Sequence, residues 1–144
     1  MVVDVVKNNG YKWSIKDDVY FKGYFTYLDS EIQIYREESA INELKRINTI
    51  EELTELLKRI DGAFAFIIKK GETLFAAVDR ARSIPLYFSQ EAGVVSDHGD
   101  SVKAKLGDMA NIDEEQYTYL FASGYTLGNE TVYSEIKQLD LGEV

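Results

Sequence analysis

The order of patterns along these 144 residues predicts an α+β layered domain. Three observations carry that reading. The first third holds aromatic and β-branched runs that alternate with polar residues, as strands do. Two stretches with apolar residues at helical spacing follow. Two nearly continuous apolar runs joined by a lysine-glycine turn then read as a hairpin covered on both faces, and a capped helix comes after them. Strands, helices, strands and a helix in that order do not make alternating βαβ units.

Taken in turn, Tyr11, Trp13 and Ile15 alternate with polar neighbours, and Val19 to Leu28 forms a strand-like run with Gly23 at its middle. Asp29-Ser30 suits a hairpin turn, and Ile32 and Ile34 alternate around Gln33. Ile41, Leu44 and Ile47 fall at helical spacing. A second amphipathic stripe runs from Ile50 through Leu53, Leu56 and Leu57 to Ile60. Thr49 with Glu52 makes a capping box at its start. Ala63 to Ile68 and Thr73 to Val78 form the hairpin, with Lys69-Lys70-Gly71-Glu72 as its turn. Two short strands, Leu86 to Phe88 and Val94-Val95, flank a turn at Glu91-Ala92-Gly93. Ser101 to Leu106 is a short helix. Asn111 to Ser123 is a longer one, with Asn111 and Glu114 as a capping pair and Gly124 as its stop.

A single domain spanning residues 1–144 is expected, since no repeat or Pro/Gly/Ser-rich linker divides the chain. A chain of this length buries about 70% of its unfolded surface. Sixteen basic residues against 25 acidic ones give a net charge of −9. Such a surface repels phosphate backbones and anionic lipid, so neither nucleic acid nor membrane is an expected partner. No apolar run approaches the roughly 20 residues of a membrane span. The N-terminus lacks a signal-peptide pattern, which makes the cytoplasm the expected location. The absence of cysteine excludes disulfides, thiolate metal sites and a cysteine nucleophile within these residues.

The only histidine lies in Ser96-Asp97-His98-Gly99-Asp100. A carboxylate-histidine-carboxylate cluster suits a metal ion or proton transfer. The favoured reading is a polar turn in which Asp97 or Asp100 caps the following helix. Asp17-Asp18 has no companion group for a cation and reads as a loop before a strand. Asp79-Arg80-Ala81-Arg82 invites an anion site, but an ion pair ordering the loop is favoured. Gly124-Tyr125-Thr126-Leu127-Gly128-Asn129 lacks the lysine of a phosphate loop and reads as a helix C-cap with a tight turn. The tyrosine-rich aromatic content reads as core. No metal or catalytic constellation emerges.

Ile60-Asp61-Gly62-Ala63-Phe64-Ala65-Phe66 is similar to the leucine-aspartate-glycine-x-phenylalanine-alanine-phenylalanine strand of asparagine synthetases. Asp79-Arg80, followed by Pro85-Leu86-Tyr87-Phe88, resembles that family's aspartate-arginine and proline-leucine-tyrosine-tyrosine stretch at matching spacing. Looser matches follow at Ser96 to Leu106 and at Gly124 to Leu139. The resemblance runs from about Phe21 to Val144. It implies the family's class II glutamine amidotransferase domain: a four-layer αββα sandwich of the N-terminal nucleophile hydrolase type, with two stacked antiparallel sheets between helices. It also makes Asp61, Gly62, Phe64, Asp79, Arg80, Pro85, Leu86 and Tyr87 signature residues of the scaffold.

The family hydrolyses glutamine with an N-terminal cysteine. Here position 1 is Met1, and its removal would expose Val2, which has no nucleophilic atom. Against the family's asparagine-glycine-glutamate motif, this chain aligns Lys22-Gly23-Tyr24, so only Gly23 survives as a pocket remnant. The family's arginine-histidine-arginine-glycine-proline segment has no counterpart. The resemblance therefore implies a degenerate glutaminase domain with no catalytic residues and no cofactor of its own. The sequence ends at Leu141-Gly142-Glu143-Val144 without the look of a finished terminus. The expected partner is a C-terminal ATP pyrophosphatase-type synthetase domain in cis, to which ATP and Mg²⁺ would belong, with homo-oligomerisation also open. The competing readings are a stand-alone interaction module and an active glutaminase, which would need a nucleophile the sequence lacks.

Overall fold

The structure, a computed structural model, describes residues 1–7, 10–29 and 33–140. It divides into two compact units, one built on Asn8–Ile84 and one on Met1–Lys7 together with Pro85–Asp140.

The first unit is an antiparallel sheet of β2 (Ser14–Lys16), β3 (Val19–Tyr27), β4 (Ile60–Lys70) and β5 (Thr73–Val78), in that order. Its helices are α1 (Glu37–Leu44) and α2 (Ile50–Arg59). Period two explains the packing. Val19, Phe21 and Phe25 of β3 and Phe64, Phe66 and Ile68 of β4 form one core with Ile41, Leu44, Leu53 and Leu56 of the helices. The Phe25 ring stacks on Tyr35 at 5.2 Å and meets Phe64 edge-on at 6.1 Å. Burying each such phenylalanine contributes roughly 1.5–3 kcal/mol.

The hairpin β4–β5 forms as predicted, but β4 continues through Lys69 and Lys70, leaving Gly71-Glu72 as the turn. Gly71 takes φ +60°, which glycine adopts without a Cβ penalty. The predicted capping box holds: Thr49 Oγ1 accepts from the Glu52 N–H, and the Glu52 carboxylate accepts from the Thr49 N–H, both at 3.3 Å. Asp17 and Asp18, at φ +50° and +61°, are the two-residue turn joining β2 to β3. A two-residue hairpin that matches strand twist needs positive φ at both positions, which aspartate tolerates. Their carboxylates face solvent, with Asp17 paired to Lys45.

Three expectations need correction in this unit. Tyr11 and Trp13 precede β2 rather than extending it. Ile34 lies in no strand; the segment pairs with β3 at the isolated Phe25–Tyr35 bridge. Ile47 is buried but lies beyond the end of α1. Ser30 and Ile32 lie outside the described residues.

The second unit has a four-stranded sheet ordered β1 (Val2–Val3), β7 (Val94–Ser96), β6 (Tyr87–Ser89), β8 (Lys137–Gln138). β1 runs parallel to β7, and the other pairs are antiparallel. Helix α3 (Gly99–Leu106) packs on it through Val102 and Leu106, which join Val94 and Ile136 in a small core. A short 3₁₀ turn and α4 (Glu114–Ser123) follow. The predicted Asn111–Glu114 cap is corrected: Asp113 is the N-cap, accepting from the Gln116 N–H at 3.0 Å. Asn111 instead donates to the Glu135 carboxylate through both its side chain and its backbone. Gly124, at φ +83°, ends α4 as predicted. The result is the α+β class read from the sequence, two antiparallel-rich sheets carrying helices, consistent with a sandwich of the N-terminal nucleophile type.

Candidate functional site

Two of the signature residues, Phe64 and Asp79, meet at one buried carboxylate. Asp79, 2% exposed, directly follows β5. Its Oδ2 accepts from the Phe64 N–H at 3.1 Å, and its Oδ1 accepts from the Ala81 N–H at 2.8 Å. The Ser83 N–H and Ser83 Oγ add donors at 3.1 Å each. A carboxylate shared among backbone N–H groups satisfies donors that the loop leaves without a ladder partner. Backbone donors to Asp79 thus order the loop. Arg80 is exposed, and Arg82 takes φ +51° within the turn. Ser83 is the member of this knot that sequence reasoning missed.

Asp61, Gly62 and Phe64 lie on β4, opposite Thr26, Phe25 and Gly23 of β3. Gly62 and Gly23 let the two backbones approach. A Cβ on Gly23, at φ +102°, would sit 1.9 Å from the Ala63 carbonyl oxygen, and one on Gly62 would sit 2.3 Å from that of Tyr24. The space a side chain at position 23 would need is therefore filled by β4 backbone, a packing reason for glycine whatever else the position does. Beside it Lys22 is 5% exposed. Its amine stands 5.8 Å from the Trp13 ring centroid, a cation–π distance.

Pro85 opens the second unit's long segment with a trans peptide bond. Leu86 is fully buried and its carbonyl accepts from the Leu139 N–H at 2.9 Å. Tyr87 pairs with Ser96 and Gln138, and its ring lies against Gly99.

Tyr87 also lines a hollow of about 280 Å³ shared with His98, Asp100, Thr131 and Tyr133. The lone histidine therefore does face a concavity. Its Nε2 is 3.9 Å from the Asp100 carboxylate, too long for a hydrogen bond. Asp97 does not join them, nor does it cap α3 as expected. It is buried and accepts from the Val6 N–H at 2.8 Å and the Lys7 N–H at 3.0 Å, tethering the N-terminal segment. His98 itself is the N-cap, without a side-chain cap bond. Among the described residues no three His, Asp or Glu side chains are grouped to hold a metal ion. The Thr131 hydroxyl is engaged with the carbonyls of Tyr133 and Ile136 and the Tyr133 N–H. Lys103 stands 4.7 Å over the Tyr133 ring, and its bond with the Tyr133 hydroxyl raises the amine above its ordinary pKa. The hollow is lined by polar groups that are largely engaged with one another.

Against known families, residues 44–144 match a family described as the glutamine amidotransferase domain. The chain belongs to the glutamine amidotransferase domain family. The match covers more than half of the sequence and takes in the β4–β5 hairpin, the Asp79 knot, the Pro85 segment and α4. No curated protein and no solved structure matches. Gly23 and Lys22 precede the matched span, as do β1, β2 and β3. No helix among the described residues of this glutamine amidotransferase-type chain is long and apolar enough to cross a membrane.

Proposed function

We propose that this chain is a glutamine amidotransferase-type domain that does not hydrolyse glutamine and serves as the scaffold domain of an asparagine synthetase-related protein. One observation carries the reading: a chain of this family contains no cysteine at all. Acyl transfer from glutamine begins with attack by a nucleophile on the side-chain amide, and without a thiol the reaction lacks its first step. The neighbourhood of Gly23 supports it. On the resemblance to asparagine synthetases, Lys22 takes the place of an oxyanion-hole asparagine and Tyr24 that of a glutamate gripping the substrate amine. A lysine buried beside Trp13 and a tyrosine at the next pocket position suit packing rather than recognition of glutamine.

On this reading Asp61, Gly62, Phe64, Asp79, Arg80, Pro85, Leu86 and Tyr87 persist because they hold the fold. Amide formation belongs to an ATP pyrophosphatase-type domain in cis, which would bind ATP and Mg²⁺ and take its nitrogen from ammonia or an amine. Two experiments test the proposal. Incubation with a diazoketone analogue of glutamine, read by intact mass, is expected to leave the chain unmodified; a stoichiometric adduct would contradict it. The reading frame downstream of Val144 is expected to encode a serine-glycine-glycine-x-aspartate-serine loop. A stop codon there would favour a stand-alone interaction module instead.

A further inference from the structure

Helix α4 has inverted polarity. Its one buried residue is Gln116, whose side-chain oxygen accepts from the Leu127 N–H at 2.9 Å. Its large apolar residues face solvent: Phe121 is 87% exposed and Tyr117 54%. Tyr117 and Phe121 are four residues apart and so stand one turn above the other on one face, with exposed Glu114 a turn earlier. Tyr125 and Leu127 extend the exposed apolar surface just past the Gly124 cap, and Ile112 extends it before the helix. Scattered exposed apolar residues are ordinary, but a contiguous run on a capped helix marks an interaction surface.

The charge around it narrows the occupant. Between Lys105 and Lys137 the chain has no basic residue and six acidic ones. Three of the six are engaged locally: Asp113 caps α4, Glu130 pairs with Lys137, and Glu135 binds Asn111. Glu114 and Glu115 remain exposed in the first turn. The surface is thus an aromatic centre with a carboxylate rim. A second copy docked isologously would set the same acidic rim against itself, and an anionic membrane would be repelled. Aromatic residues are the side chains that dominate protein interfaces when buried, and complementary rims set partner choice. We infer that the exposed face of α4 is a docking surface for a protein partner with an apolar patch flanked by lysine and arginine. This stands whether or not the chain hydrolyses glutamine, since no residue of the amidotransferase reading lies on α4.

The test uses the whole chain and two fluorescent amphipathic helical peptides of about 18 residues, or five turns, one of leucine and lysine and one of leucine and glutamate. Anisotropy is expected to show binding of the lysine peptide alone. Phe121→Ser and Tyr117→Ser, which leave the charge unchanged, are expected to weaken it roughly tenfold or more, with circular dichroism and Tm unaltered. Glu114→Lys combined with Glu115→Lys is expected to shift preference toward the glutamate peptide. The inference is overturned if neither peptide binds, or if both bind alike. It also fails if the serine variants bind as tightly as wild type, which would mean charge attraction alone. Sedimentation showing a dimer that Phe121→Ser dissociates would name a second copy as the occupant instead. Binding to phosphatidylcholine vesicles would name a lipid surface.

Discussion

The buried carboxylate of Asp79 accepts from backbone N–H groups of β4 and of its own loop. Asp79→Ala would leave those donors unmatched away from water. A loss of about 3 kcal/mol or more is expected in urea denaturation. Asp79→Asn keeps one acceptor oxygen but sets an amide NH₂ against N–H donors, so about half that loss is expected. Gly23→Ala forces a Cβ to within 1.9 Å of the Ala63 carbonyl oxygen. Strand β3 would have to pull away from β4, and soluble folded protein is not expected to survive purification. At this scale the sequence singled out Asp79 and Gly23 but did not reveal the backbone donors that hold the first. Which backbone donors a carboxylate meets depends on a partner fifteen positions away, Phe64, and no local pattern encodes it.

At the scale of elements, the features legible in the sequence were those whose determinants are local. The capping box at Thr49 and the glycine stop at Gly124 both formed where the residues placed them. Thr49→Ala is expected to cost about 1 kcal/mol, measured by thermal denaturation. Strands β1 and β8 were missed because two residues cannot display a period of two; they exist through pairing with β7 and β6. The start of α4 moved from Asn111 to Asp113 because Glu135, far along the chain, takes Asn111 away. The predicted helix end at Ile47 and strand at Ile34 failed similarly, apolar spacing being decided by packing rather than by local order. Tyr27 at the end of β3 shows an element-scale coupling. Its hydroxyl donates to the Glu43 carboxylate of α1 at 3.1 Å, and Arg59 of α2 lies 5.3 Å over its ring. Burial first, and then the bond to Glu43, push its pKa up to about 12. The folded value lies above the unfolded one of about 10, so the unfolded chain loses this proton first. The stabilisation is present in full below pH 10 and fades as pH rises through 12. Tm is expected to fall over that window in wild type and to fall less in Tyr27→Phe.

For the molecule as a whole, the glutamine amidotransferase-type domain and the class of fold were legible because hairpin, turn and signature residues lie close together in sequence. The exposed aromatic face of α4 was not, since tyrosine and phenylalanine at helical spacing look the same whether they face a core or a partner. A net charge of −9 opposes association of like copies and favours cationic partners, in keeping with the acidic rim of α4. On the function proposed above, a domain without a thiol serves as scaffold and does not hydrolyse glutamine. Ammonia release from glutamine, followed with an enzyme-coupled assay on the purified chain, tests that claim most directly. A rate indistinguishable from the buffer blank is expected at any glutamine concentration. Saturable turnover above the blank would contradict it.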